Sequence, residues 1–87
     1  VKLLRDTVSS LRLDSVLSVG FSLSRSKAAE AVTSGKVQVN WADWQKPDRQ
    51  VVQGDVLTLR GLGKCVLEEV GNQTKKGRVF ITVKRYL

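Results

Sequence analysis

The chain has 87 residues, which suits a single domain with one modest core but not two independent ones. Fifteen Lys and Arg stand against eight Asp and Glu, and this net charge of +7 favours a polyanionic partner such as nucleic acid or an acidic membrane surface. Histidine is absent and Cys65 is the only cysteine, so an internal disulfide, a cysteine metal cluster and a Ser/His or Cys/His catalytic pair are all excluded. We therefore expect no catalysis, no metal and no cofactor.

The hydropathy pattern argues against a membrane protein. No apolar run approaches the roughly 20 residues that a membrane-spanning helix requires, and no signal-peptide pattern opens the chain. We expect a soluble, cytoplasmic protein. Because the chain begins at Val1 and contains no methionine, we also expect it to be a domain of a longer parent.

Residues 1–10 leave two interpretations open. Leu3, Leu4 and Val8 flank charged residues in a pattern that fits either a short strand or a leader arriving from a preceding domain. A short first helix should follow, with Ser9 and Ser10 as candidate N-caps and apolar residues at helical spacing up to Gly20.

The second predicted helix has the best-defined boundaries. Ser24 is a suitable N-cap, and Gly35 supplies the left-handed position that ends a helix. Its first turn carries Arg25 and Lys27, where the helix dipole makes a cation unfavourable by roughly 0.3–1 kcal/mol unless an anion neutralises it. This placement predicts a phosphate contact.

The rest of the chain predicts a small antiparallel sheet. Val37 and Val39 alternate with Lys36, Gln38 and Asn40, which gives the first of these strands a polar, basic face. A turn near Ala42 and Asp43 should lead into a return segment that starts at Trp44. A further strand over 56–60 and a hairpin of strands 64–70 and 78–86, joined by GNQTKKG, complete the sheet.

The stretch RLDSVLSVGFSLSRSKAAEAVTSGKVQVNWADWQKP, completed by QGDVLTLRG, resembles the S4 RNA-binding domain. The resemblance implies an α+β fold with an α-L motif: two short helices packed on a small, mainly antiparallel sheet with a C-terminal β-hairpin. It also implies three segments: a leader or short strand over 1–10, an S4 core over 11–61 and a hairpin extension over 62–87.

The flanking residues narrow the likeness. A leader such as LRDTVSS and a TKKGR hairpin ending in RYL resemble the C-terminal domain of photosystem II S4 domain proteins and their bacterial division-operon relatives. This implies a cyanobacterial or plastid origin, ribosome-associated work and, in a plant, a place in the plastid stroma.

The S4 resemblance supplies the main RNA-facing candidates, each of which also has a purely structural explanation. Solvation of the first helix also explains Arg12, capping of the second helix alone explains Ser24, and basic residues often lie on a solvated face without binding anything. The candidates carried over are Arg12, Ser24, Arg25, Lys27, Lys36, Gln38 and Asn40.

Trp41 departs from the family pattern. Family members commonly have glycine here, where the turn needs a positive φ that a bulky residue avoids. Its indole could stack on an unpaired base or cover the core, and both interpretations stay open. Trp44 stands at an apolar strand position, so we expect it in the core.

A second basic cluster, Lys75, Lys76 and Arg78, falls at the predicted hairpin tip. Residues 60–87 hold seven basic and two acidic groups, a net charge of +5, whereas residues 1–59 hold eight and six, a net charge of +2. The cluster could therefore extend an RNA footprint along the phosphate backbone, or it could simply be solvated.

The leading hypothesis is a monomeric, non-catalytic module that binds structured RNA, either rRNA or tRNA, with the ribosome as a candidate partner. One alternative is a protein- or membrane-docking module that uses the basic hairpin, although no strongly amphipathic basic helix supports it. Another is a targeting domain fused to an RNA-modifying enzyme, with the catalytic residues outside this chain.

Overall fold

Two helices pack on one face of a six-stranded antiparallel sheet in the computed structural model, which describes all 87 residues. This confirms the predicted α+β class. The strand order is β1-β6-β5-β4-β2-β3, so the C-terminal hairpin of β5 and β6 lies inside the sheet. In chain order the elements are β1 (Lys2–Val8), α1 (Leu13–Phe21), α2 (Arg25–Thr33), β2 (Val37–Val39), β3 (Ala42–Asp43), β4 (Val56–Leu59), β5 (Gly63–Gln73) and β6 (Val79–Tyr86).

The first residues of the chain form a strand of this sheet. β1 pairs with β6 in a continuous register from Lys2 opposite Arg85 to Val8 opposite Val79. Val8 is buried in the core. The strand interpretation of residues 1–10 therefore describes this segment.

The core lies between the helices and the inner face of the sheet. The predicted alternation is confirmed, since Leu57, Leu59, Ile81 and Val83 are all buried on that face. α2 contributes only small buried residues, among them Ala28. Small side chains at the contact allow the helix to approach its neighbour closely.

Both ends of α1 differ from the sequence prediction. Neither Ser9 nor Ser10 is the N-cap; Arg12 is, and its side chain makes no capping bond. Instead, the N–H groups of Leu13 and Asp14 donate to the carbonyl oxygens of Arg49 and Pro47 at 2.8 and 3.1 Å. A distant loop therefore supplies the acceptors that a side-chain cap would have given.

The C-terminus of α1 passes Gly20 and ends at Phe21, where Ser22 takes the left-handed conformation with φ 54°. Gly20 has a different role. An added Cβ there would lie 2.8 Å from the Sγ of Cys65 and 3.1 Å from a methyl carbon of Val83, so glycine allows α1 to touch the sheet. Burial raises the pKa of the Cys65 thiol to about 12, which keeps it neutral as the small hydrophobe expected.

Replacing Gly20 with alanine should lower the free energy of unfolding by roughly 1–3 kcal/mol, because overpacking a tight contact outweighs alanine's better helix propensity. Urea denaturation of the single variants, the double variant and the parent would measure this. The Cys65→Ala substitution should cost less in the Gly20→Ala background than in the parent, since it removes the clashing sulfur. Equal costs in the two backgrounds would show that this contact is not tight.

α2 begins and ends as predicted. The N–H of Lys27 donates to the Oγ of Ser24 at 3.1 Å, which confirms Ser24 as the N-cap. Gly35, with φ 80°, follows the last turn. The two basic residues of the sequence prediction therefore do lie in the first turn of a helix.

Candidate RNA-binding surface

A buried carboxylate joins the first turns of the two helices. Asp14 accepts hydrogen bonds from Arg12 at 3.1 and 3.0 Å and from Arg25 at 3.3 Å. Its side chain is 4% exposed, whereas those of Arg12 and Arg25 are 38% and 52% exposed. One anion therefore holds two partly exposed cations in fixed positions.

This pairing revises the sequence argument for Arg25. The cation at the start of α2 was expected to need a phosphate, but Asp14 already supplies an anion. A half-exposed guanidinium with five N–H donors still has several free for a second partner. Arg12, which the sequence left as a solvating residue or an RNA contact, is likewise first a partner of Asp14.

Lys27 and Lys36 both line a shallow cavity of about 200 Å³. Glu30 and Ser34 of the α2 face also line it. The structure thus brings together two predicted RNA-binding lysines, one from the first turn of α2 and one from the start of β2.

A second cavity of about 220 Å³ adjoins the first through Lys36 and contains Gln38. The amide of Gln38 donates to Asp43 at 3.2 Å. Arg60, which the sequence analysis missed, also lines this cavity, and its N–H donates to the carbonyl oxygen of Lys36 at 2.9 Å.

Predicting an antiparallel pairing of residues 56–60 with 36–40 would have placed Arg60 next to Lys36. Val37 lies opposite Leu59, so the next residue outward on each strand is a cation. We call the group formed by Lys27, Lys36, Gln38 and Arg60 the basic surface. Glu30 and Asp43 lie within it, so three cations stand against two carboxylates.

The turn after β2 is made by Asn40 and Trp41 rather than by Ala42 and Asp43, which form β3. Both turn residues have positive φ, 51° and 66°, as the tight hairpin turn of type I′ requires. The Asn40 carboxamide donates to Asp55 at 3.0 Å and accepts from the N–H of Val56 at 2.9 Å. Asn40 therefore holds the turn in place.

Trp41 is 68% exposed and does not cover the core. A left-handed conformation costs a residue other than glycine roughly 1–2 kcal/mol, so this indole is held in solvent at the expense of stability. Trp44 instead lies half-buried against the core, with the guanidinium of Arg49 4.1 Å from its ring centre. Trp44 is thus at the margin of the core.

The basic cluster at the β5–β6 turn divides into two parts. Lys75 and Lys76 are exposed in the turn. Arg78 reaches back to β1, where it donates to the hydroxyl of Thr7 at 2.9 Å and to its carbonyl oxygen at 2.7 Å. Only the two lysines are at the tip.

Neither metal-ligand clusters nor membrane spans add to these features. No three His, Cys, Asp or Glu side chains lie together as a candidate metal site. Neither helix has the length and apolar character needed to cross a membrane. The candidate site therefore consists of the basic surface, the Asp14 network and the exposed indole.

Substituting Trp41 with glycine should stabilise the protein by roughly 1 kcal/mol, because glycine adopts the left-handed conformation without strain. In a domain of this size the melting temperature would rise by about 4–8 °C. Trp41→Ala keeps the Cβ and should give little of this gain. A Trp41→Gly variant no more stable than Trp41→Ala would contradict a strained turn.

The comparisons with known proteins agree with this geometry. The S4 domain profile matches residues 11–57, which include both helices, β2, β3 and the first residues of β4. Over 85 residues, or 98% of the chain, the sequence is 41% identical to the ribosome-associated protein quality control protein P2 of Bacillus subtilis strain 168, of which the chain spans 33%. A match over more than half of the chain, carried on two helices packed against an antiparallel sheet, shows that the chain belongs to the S4 domain family.

Proposed function

We propose that this chain is a non-catalytic module that binds structured RNA, either rRNA or tRNA, through the basic surface. The observation that carries the proposal is the convergence of Lys27 in α2, Lys36 just before β2 and Arg60 just after β4 on two adjoining cavities. Cations from three separate segments are brought to one surface, which suits recognition of the shape and phosphates of folded RNA.

The Asp14 network supports this surface at its edge. Arg25 is held at the start of α2 with part of its guanidinium exposed, two residues before Lys27. A cation that is already ordered loses little conformational entropy on binding a phosphate. We therefore assign Arg25 a phosphate contact next to the basic surface, and Arg12 a supporting role through the same carboxylate.

Trp41 gives this module a second means of binding. It lies at the turn that ends β2, and Lys36 lies at the start of that strand, so both are reached by an RNA that follows β2. Exposed aromatic rings stack on unpaired bases. We assign Trp41 a stacking contact with a base outside the helical part of the RNA.

The ribosome is the setting that we propose for this binding. The Bacillus relative is named a ribosome-associated quality control protein, and it aligns with nearly the whole of this chain. Because the chain spans only 33% of that relative, the activity of a longer parent would depend on further domains. We place the module in the cytoplasm as a monomer, with Lys75 and Lys76 at the edge of the RNA footprint.

The double substitution Lys27→Gln and Lys36→Gln should weaken binding to fluorescently labelled bulk tRNA and to rRNA extracted from bacterial ribosomes. Each lost phosphate contact should reduce the slope of log affinity against log salt by about 1, so the expected reduction is about 2. Fluorescence anisotropy at several salt concentrations would measure both quantities.

A matched control removes the same charge from the far edge of the sheet. Lys2 and Arg5 are exposed on β1, the strand farthest from β3 in the sheet order. Lys2→Gln with Arg5→Gln should leave the slope close to that of the parent. Equal losses of RNA affinity and salt slope in the two double variants would show that binding depends only on net charge. That result would refute the basic surface.

Trp41→Ala should weaken RNA binding by roughly 1–3 kcal/mol, the range for loss of one aromatic stacking contact, and it should leave the salt slope unchanged. Trp41→Phe should retain part of the affinity. The same anisotropy titrations serve as the measurement, with tryptophan fluorescence quenching as an independent signal. Unchanged affinity in Trp41→Ala would exclude stacking at this turn.

A further inference from the structure

A polar cavity of about 270 Å³ lies between β1, α1 and the start of α2, and Arg25 lines it whereas Lys27 does not. Hydroxyl groups and two guanidinium groups dominate its walls. The principal lining residues are Thr7, Ser9, Ser15, Ser18, Arg25 and Arg78. The two arginines are 53 positions apart in the sequence, so only the folded chain brings them to one cavity.

Ser15 places a buried hydroxyl group in the wall of this cavity. The residue is 3% exposed, and its hydroxyl has no hydrogen-bond partner in the protein. Ser15, Ser18 and Val19 share one face of α1 by helical spacing, and all three line the cavity. A buried hydroxyl without a partner is destabilising, and a ligand in the cavity would supply the hydrogen-bond partner that Ser15 lacks.

Both guanidinium groups are held before any ligand arrives. Arg78 donates through Nε and one Nη to Thr7, and Arg25 donates through one Nη to Asp14. Each arginine has five N–H donors, so three remain on Arg78 and four on Arg25 by this count. Two ordered guanidinium groups facing one cavity suit a tetrahedral oxyanion better than a neutral molecule.

We propose that this cavity binds a phosphate group, held by Arg25 and Arg78 with the Ser15 hydroxyl donating to one oxygen. The phosphate could belong to the RNA of the proposed function or to a small phosphorylated molecule; only the first source rests on that function. Asp6 also lines the cavity, and its carboxylate accepts from the N–H of Thr7 at 2.7 Å. The negative charge of this carboxylate repels a bound anion. Removing that charge should therefore tighten phosphate binding.

Inorganic phosphate is the probe, titrated into the ¹⁵N-labelled 87-residue chain and followed by NMR. Saturable shifts are expected at the amides of Ser15 and Arg25 and at the Nε–H of Arg78. Ser15→Ala and Arg78→Gln should each weaken phosphate binding at least fivefold, while Asp6→Asn should tighten it about twofold. Lys2→Gln removes one exposed cation outside the cavity and should change the dissociation constant by less than twofold.

The proposal would be overturned by shifts that do not saturate, by an effect of Lys2→Gln as large as that of Arg78→Gln, or by weaker binding in Asp6→Asn. Ser15→Ala guards against a folding artefact, because removing an unpaired buried hydroxyl leaves the packing intact. An unchanged dissociation constant in a folded Ser15→Ala variant would also overturn the proposed geometry.

Two further measurements identify the source of the phosphate and test the proposed function separately from the phosphate cavity. Displacement of phosphate by bulk tRNA or rRNA would assign the cavity to an RNA phosphate, whereas phosphate that stays bound with saturating RNA would assign it to a small phosphorylated molecule. The Lys27→Gln and Lys36→Gln variant should bind inorganic phosphate like the parent. Undiminished RNA binding in that variant, with phosphate binding also retained, would refute the basic surface and leave the phosphate cavity standing.

Discussion

One ionic interaction joins the first turns of the two helices, the pairing of the Asp14 carboxylate with Arg12 and Arg25. Asp14 is buried in the first turn of α1, and its two partners approach from the helix start and from the first turn of α2. A buried carboxylate without partners would be strongly unfavourable, so any arrangement that separates the helix starts is penalised. The N–H of Asp14 also donates to Pro47, which brings the 47–51 loop to the same point. The scaffold and the residues proposed to bind RNA therefore share one centre.

At the β2–β3 turn, a residue proposed to bind RNA lowers the stability of the fold. Asn40 is tied to Asp55 and Val56, and this forces the next residue into the left-handed region, where tryptophan is strained. The hydrophobic surface that Trp41 exposes is not recovered by packing within the domain. Strain and exposure at one position are typical of sites that are ordered for a ligand rather than for the fold.

The sequence predicted most of what depends on local patterns. The Ser24 cap, the alternation through Val37 and Val39 and the resemblance to the S4 family all concern residues close together in the chain, and the structure and the family match confirm them. Features that depend on distant residues were missed or misjudged. The acceptors of Arg49 and Pro47 replace a serine cap, and the cation Arg60 joins Lys36 only through strand pairing.

The pairing of β1 with β6 has a consequence for the order of folding. Among the six strands β1 comes first in the chain, yet its only sheet partner, β6, comes last, with Lys2 opposite Arg85. The backbone N–H and C=O groups of β1 have no strand partner until about eighty further residues have been synthesised. Pairing between strands so far apart in the sequence is slow. The two walls of the cavity that contain Thr7 and Arg78 come together only at this final step. A nascent chain could thus complete the family core of α1, α2 and β2 while that cavity is still open.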